Sequence, residues 1–264
     1  MAGGVTKRPV RAVFFDIGET LVERPEIGPG HRLAAALGLG ADHARVITGL
    51  VFRTAFASPA ALAERLRSDL GLSDDPAPAV TDIWNAQLTE PCEIFGATTC
   101  VAAVRAAGAK VGIISNIWVP YAEGFRRACP AIVPLVDSWH LSFEAGMPKP
   151  NAAIFHAALA ALQVAPAEAL MVGDSLEKDI LPAVALGMNA VWLRREHIGA
   201  PASDEPSVVA VDPPPPIPAA IVPEGAVVAK NLSEVRRIAL TWLWAKRGVG
   251  TSLTAPLATG RSRS

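Results

Sequence analysis

Short apolar runs alternate along this chain with longer stretches of helical period, and the alternation predicts most of the elements. Val10–Phe15 reads as a buried strand that ends at Asp16-Ile17-Gly18-Glu19-Thr20. Pro25, Gly28, Pro29 and Gly30 then mark a linker between Glu23 and Gly30. From His31 to about Phe95 the pattern is helical: Leu33, Leu37 and Leu39, then Val46, Ile47, Leu50, Val51 and Phe52, then Leu62, Leu66 and Leu70 on one helix face. A last helix of this stretch carries Ile83, Trp84 and Leu88 after Thr81 and Asp82. No strand interrupts it, so residues 25–95 are predicted as an all-helical insert of about four helices.

Strands and helices alternate thereafter. A helix over Thr98–Ala107 ends at Gly108 and leads to a strand over Lys110–Ser115. A helix near Tyr121–Cys129 precedes an extended stretch toward Leu141. Asn151–Leu162 is a helix, Ala169–Val172 a strand, Leu176–Leu186 a helix and Asn189–Leu193 a strand. Val227–Ala229 is a candidate edge strand and Ser233–Ala245 a closing helix. Short apolar strands between helices predict an α/β fold, a doubly wound (Rossmann-like) parallel sheet covered on both faces. The core is assigned to residues 1–24 plus 96–248, the helical insert to 25–95, a proline-rich connection within the core to 194–226, and a loose tail to 249–264. Pro213 to Pro216 favour polyproline II within that connection.

Composition narrows the classes. The 264 residues are 51% hydrophobic and 19% charged, enough to bury a substantial core. Twenty-four Lys and Arg against 25 Asp and Glu leave a formal net charge of −1, which argues against a broad nucleic-acid or anionic-membrane footprint. No apolar run approaches the ~18 residues of a membrane span, and the N-terminus lacks a signal-peptide pattern. Cys92, Cys100 and Cys129 fit neither a disulfide framework nor zinc spacing, so reduced cytoplasmic thiols are expected. The five histidines show no metal-ligand spacing, and His156, beside Ile154 and Phe155, is expected to pack.

Open α/β sheets bind ligands beyond the carboxyl ends of their strands. Four such places carry polar groups here: Asp16; Ser115 and Asn116; Lys149 between Pro148 and Pro150; and Gly173-Asp174-Ser175 followed by Asp179. Taken singly, each has a plain role as cap, turn or solvated charge, and Asp174 with Asp179 would suit a helix start through its dipole. Together and in this order they form a specific set. Gly28 and Gly30 faintly suggest a dinucleotide loop, but Leu33 stands where the third glycine belongs and no strand leads in.

The segments Phe14-Phe15-Asp16-Ile17-Gly18-Glu19-Thr20-Leu21, Gly112-Ile113-Ile114-Ser115-Asn116, Gly146-Met147-Pro148-Lys149-Pro150-Asn151-Ala152-Ala153-Ile154-Phe155 and Val172-Gly173-Asp174-Ser175-Leu176-Glu177-Lys178-Asp179 resemble the four ordered motifs of the haloacid dehalogenase-like (HAD) hydrolase superfamily. The resemblance covers roughly Val10–Leu193, and the helical insert matches the family's cap between the first and second motifs. It implies a Mg²⁺-dependent phosphatase acting through an aspartyl-phosphate on a small phosphorylated metabolite. Asp16 would be the nucleophile. Asp16, the Gly18 carbonyl and Asp174 would hold Mg²⁺, with Asp179 a ligand through water or a partner behind the ligands. Ser115, Asn116 and Lys149 would bind the phosphate, and Lys149 would neutralise developing charge.

One departure matters. The family's phosphatases place a second Asp two residues after the nucleophile, where it protonates the leaving oxygen. Here that position is Gly18, and Glu19 follows. Glu19 is either a displaced acid or a structural residue. Loss of a general acid costs ~10²–10⁴-fold in rate, and less for aryl or acyl phosphates, whose leaving groups need little protonation. A catalytically silent protein that binds a phosphorylated ligand or another protein is the alternative. Another HAD reaction, dehalogenation or phosphonate cleavage, is the third. Dehalogenation needs no Mg²⁺ and its enzymes carry a tyrosine at the Gly18 position; the phosphonate reaction wants a cap lysine, and Glu19–Ala109 contains none.

Candidates for substrate contact are Trp118, directly after a motif, together with Glu19, Arg32 and Arg53; His31, Trp84 and Asn85 are further cap candidates, and Glu23 and Arg24 flank the mouth. Trp242 and Trp244 do not share a helix face, so one is expected to pack and the other to be exposed or to meet a second copy in a homodimer.

Overall fold

The computed structural model describes residues 9–23, 25–195 and 222–244. In chain order the elements are β1 (Ala12–Phe15), α1 (Pro29–Ala36), α2 (Ala41–Val51), α3 (Pro59–Leu70), α4 (Ala77–Gln87), α5 (Ala97–Ala106), β2 (Lys110–Ser115), α6 (Val119–Ala128), β3 (Ser138–Leu141), α7 (Ser142–Ala145), α8 (Ala152–Leu162), β4 (Ala169–Gly173), α9 (Leu181–Ala185), β5 (Asn189–Leu193), β6 (Ala226–Ala229) and α10 (Leu232–Trp244). The six strands form one parallel sheet in the order β3-β2-β1-β4-β5-β6. This is the doubly wound α/β architecture that the alternation predicts.

Its two central strands are apolar throughout, as strands covered on both faces must be. Ala12, Val13, Phe14 and Phe15 of β1 and Ala169 to Val172 of β4 are fully buried. Alternation sends them to opposite sides. Val13 and Phe15 join the packing beneath α5, α10 and the insert, whereas Ala12 and Phe14 join that of α8, with Ile154, Phe155 and Leu159. The chain runs outward from β1 to β2 and β3, then returns to the other side of β1 as β4. The crevice at that reversal, between the carboxyl ends of β1 and β4, is where such sheets place ligands.

Helices α1 to α5 lie in the connection between β1 and β2, α1 to α4 forming the insert. Where the chain leaves and re-enters the sheet, its two crossings run side by side: Val22 bridges Glu93, Glu23 N–H donates to Cys92 O at 2.9 Å, and Ile94 N–H donates to Leu21 O at 2.9 Å. Leu62 and Leu66 bury one face of α3, and Ser58 caps its first turn by accepting from Ala61 N–H at 3.2 Å.

Three local expectations need correction. His156 is exposed on α8; the buried stripe is Ile154, Phe155, Ala158, Leu159 and Leu162, and position 156 lies outside it. The helix expected over Leu176–Leu186 starts as one π-helical turn, Leu176–Ile180, before α9. The strand expected from Val10 begins at Ala12. Trp242 packs half-buried on the core. The Trp244 side chain, Arg24, residues 196–221 of the proline-rich connection and the tail lie outside the described residues.

Candidate active site

Register brings the motif residues to one edge. Phe15 is level with Ile113 of β2 and Val172 of β4, so Asp16, Ser115 and Asp174 lie just beyond, at the carboxyl ends of three adjacent strands. Asp16 N–H donates to Val172 O at 2.9 Å, which carries the β1–β4 pairing up to Asp16. The indole N–H of Trp192 on β5 donates to Asp174 O at 2.8 Å and pins that turn.

Lys149 is the hub. It comes from the loop between α7 and α8 and is 3% exposed, so its charge survives only with partners. Its Nζ lies 2.5 Å from Asp179 Oδ1, 2.8 Å from Asp16 Oδ1 and 2.8 Å from Ile114 O. Burial opposes the ammonium charge, but Asp16 and Asp179 outweigh burial and hold its pKa above that of an ordinary lysine. The Asp16 contact has the distance of a hydrogen bond without the alignment, which leaves Asp16 Oδ1 buried with no hydrogen-bond donor.

The backbone of Lys149 is fixed by Asn116. Asn116 Nδ2 donates to Lys149 O at 2.9 Å, and Lys149 N–H donates to Asn116 Oδ1 at 2.7 Å. The Asn116 side chain therefore holds the main chain of the lysine in place. Ser142 does similar work for the next residue, accepting from Ile117 N–H and donating to Ile117 O, both at 3.1 Å. Ser115, 1% exposed, faces the cavity described below.

Asp179 is fully buried at the π-helical turn. Its Oδ1 meets Lys149, and its Oδ2 accepts from Ser175 N–H at 3.0 Å. Burial raises its pKa above the usual carboxylate range, and Lys149 opposes that rise. Gly173 makes room for it: a Cβ there would stand 2.4 Å from the Asp179 carboxyl carbon.

Asp16, Asp174 and Asp179 offer carboxylate oxygens that lie within 4.8 Å of one another. Mg²⁺ binds oxygen at about 2.0–2.1 Å, so opposite ligands stand about 4 Å apart, and it keeps several waters when few carboxylates reach it. The donor set fits such an ion, and the buried, undonated Oδ1 of Asp16 fits it further. Both Asp179 oxygens are already engaged, which suits it to a place behind the direct ligands.

Gly18 borders the cavity, and a Cβ placed on it would meet no atom within 4 Å. Glu19 adopts a left-handed φ of 56°. Its carboxylate lies 2.9 Å from the Arg195 guanidinium, which also grips Glu23 at 2.5 Å and 2.7 Å. The Glu19 carboxylate is thus held in an ion pair at the site's edge. Arg195, just past β5, is a site-edge residue that no motif in the sequence marks.

A cavity of about 870 Å³ opens between the strand ends and the insert. Gly18, Ser115 and Asn116 border it on the sheet side, and α1 and α2 border it opposite. Trp118 lines it, 2% exposed, with its indole N–H donated to Gln87 Oε1 at 2.9 Å and its ring edge-on to Trp84 at 5.6 Å. His31 also lines it. Arg32 and Arg53 do not: Arg32 turns to Glu90 at 2.7 Å, and Arg53 is exposed and donates to Gly49 O at 3.1 Å. Asn85 is exposed and Trp84 packs behind Trp118. Gln87 and Tyr121 are lining residues that motif reading does not find. The signal for Gln87 is its place on the buried stripe of α4, after Val80, Ile83 and Trp84.

Residues 10–187 match the family model of haloacid dehalogenase-like hydrolases. The chain belongs to that family. This HAD-like hydrolase is 27% identical over 201 residues to a glyceraldehyde 3-phosphate phosphatase of Pyrococcus furiosus, a match spanning 71% of the chain and 82% of the relative. Two crystal structures share its fold. A 2-haloacid dehalogenase from Pseudomonas syringae pv. tomato superposes with a TM-score of 0.56 at 19% identity, over 88% of this chain and 99% of that one. A HAD phosphatase from Thermococcus onnurineus does so with 0.52 at 21% identity, over 87% and 97%.

Proposed function

We propose that this HAD-like hydrolase is a Mg²⁺-dependent phosphatase of a small phosphorylated metabolite, working through an aspartyl-phosphate with weakened acid–base catalysis. The convergence of Asp16, Asp174 and Lys149 at one sheet edge carries this reading. Mg²⁺, held by Asp16, Asp174 and the Gly18 carbonyl, would supply charge neutralisation at the phosphoryl oxygens. An oxygen of Asp16 bonds to phosphorus as the bond to the leaving oxygen breaks, and the leaving oxygen keeps the electron pair. Lys149 and the Ser115 hydroxyl stabilise the transferring phosphoryl group. Water then attacks the acyl phosphate, inorganic phosphate departs and Asp16 is regenerated. Helices α1 to α4 act as the cap that excludes bulk water.

Gly18 supplies no proton donor, and Glu19 is engaged by Arg195. Leaving groups that depart as stable anions should therefore be favoured over alkoxides. A cytoplasmic setting is part of this reading, and the three free thiols suit it.

The test is phosphate release from a panel of phosphorylated metabolites with Mg²⁺, with Asp16→Asn as control. Turnover that needs both Mg²⁺ and Asp16 is expected. Release no faster than the Asp16→Asn background across the panel would overturn the reading and leave a phospho-ligand-binding protein.

A further inference from the structure

The cavity that meets the strand ends says more about the substrate than its chemistry alone. Its volume, about 870 Å³, is that of a small-molecule site. Beyond the polar rim of Ser115 and Asn116 its walls are mostly apolar, with Ile27, Ala34, Leu39 and Phe52 on the insert side and Ile117 and Trp118 on the sheet side, interrupted by Thr48, Gln87 and Tyr121. Arg32 and Arg53, the two cap cations nearest to the question, point elsewhere. Among the described lining residues no arginine appears, and the charged or titratable ones are Glu26, His31, Tyr121 and Lys178. A carboxylate or second phosphate seated against Ala34, Leu39 and Phe52 would have its charge desolvated there. An apolar body would gain from the same walls.

We propose, resting on the phosphatase reading above, that this cavity selects the leaving group, and that the substrate is a phosphate monoester of an uncharged, apolar and flat alcohol, an aryl ester above all. A second, independent observation points the same way. Gly18 leaves the site without a proton donor at the family's usual position, and an aryloxide leaves without one. In that reaction the Asp16 oxygen–phosphorus bond forms, the phosphorus–aryl oxygen bond breaks, and the aryloxide departs with the pair and is protonated by solvent. Trp118, held edge-on by Trp84 and tethered through Gln87, gives the cavity a rigid aromatic lining residue.

The test uses the full chain with Mg²⁺ and esters paired so that the leaving-group chemistry is alike and only the body differs: 2-naphthyl against phenyl phosphate, and hexyl phosphate against glycerol 3-phosphate. The apolar or larger member of each pair should show kcat/KM higher by about tenfold, mostly through KM, as expected for the extra apolar area buried. Phe52→Ser should shrink the naphthyl-to-phenyl ratio, and Phe52→Leu should largely keep it. Quenching of tryptophan fluorescence by 2-naphthol, titrated into the metal-free protein, reads the cavity without any turnover. Failure of every ester to exceed the Asp16→Asn background, with naphthol bound, defeats the phosphatase reading and with it the assignment of a substrate. Turnover in which glycerol 3-phosphate matches or exceeds hexyl phosphate, or in which naphthol does not bind, overturns the selection of an apolar body while leaving the phosphatase intact.

Discussion

The side-chain amide of Asn116 clasps the backbone of Lys149 on both sides, taking its N–H at 2.7 Å and giving to its carbonyl at 2.9 Å. Two loops from different strand connections are thereby joined at the residue whose ammonium pairs with Asp16. Asn116 touches the lysine's main chain, whereas the proposed mechanism uses its side chain, so on that reading Asn116 is a positioning residue. Asn116→Ala should lower kcat by about 10- to 100-fold, with a smaller change in KM, since misplacement of a charge by about 1 Å costs on that order. Asn116→Asp keeps the acceptor for Lys149 N–H and loses the donor, so it should fall between Asn116→Ala and the parent. A merely structural role would lower thermal stability in both variants without splitting kcat from KM.

Gly18 has open space above it. Gly18→Asp should therefore fit without repacking and place a carboxyl at the cavity's edge. Turnover of alkyl phosphates should rise by up to roughly 10²–10⁴-fold, the range of a general acid. Aryl phosphates should gain much less. Steady-state rates on hexyl and phenyl phosphate check this directly, and an equal gain on both would mean that proton donation does not limit the parent protein.

Asp179 predicts a pH signature for the metal-free protein. Burial, opposed by the Lys149 charge, pushes its carboxyl up to about 6. A carboxyl raised in the folded state binds more protons than the unfolded chain between about pH 4 and 6, so its contribution to stability falls as pH rises through that window and is level above it. Asp179→Asn should remove this downward slope when Tm is followed from pH 4 to 7 in EDTA. It should also lower Tm near neutrality in Mg²⁺, because it removes one of the two carboxylates that compensate the buried Lys149; breaking a buried pair typically costs about 3–5 kcal/mol.

The cysteines predict a labelling pattern. Cys92 is exposed, whereas burial pushes the thiols of Cys100 and Cys129 up to about 12. At pH 8 a thiol reagent should modify one cysteine rapidly and the other two only on unfolding. Cys92→Ser should abolish the fast phase. Rapid loss of three thiols from the folded chain would contradict the packing of α5 and α6.

Much of this was legible in the residues because each feature has a local cause. The strands Lys110–Ser115 and Asn189–Leu193 stand where their apolar runs and bounding turn residues put them. The four insert helices follow from spacing such as Leu62, Leu66 and Leu70. Asp16, Ser115, Lys149 and Asp174 converge because each follows a strand or precedes a helix at the same edge. What the residues did not disclose depends on pairs distant in sequence. Nothing local says that Asn116 grips Lys149, that Arg32 turns to Glu90, or that Arg195 reaches back to Glu19 across 176 positions. The exposure of His156 has a simpler lesson: Ile154 and Phe155 already fill the inward arc of α8, and the next residue on a helix must turn outward.

Gly173 contributes no side chain to the chemistry, yet a single added carbon there would collide with the Asp179 carboxyl. The displaced acid could no longer neutralise Lys149, and Lys149 could no longer sit against Asp16. An unbiased mutational scan would therefore rank this silent neighbour alongside the reacting groups themselves, and Gly173→Ala would look like the loss of a catalytic function that the glycine never possessed.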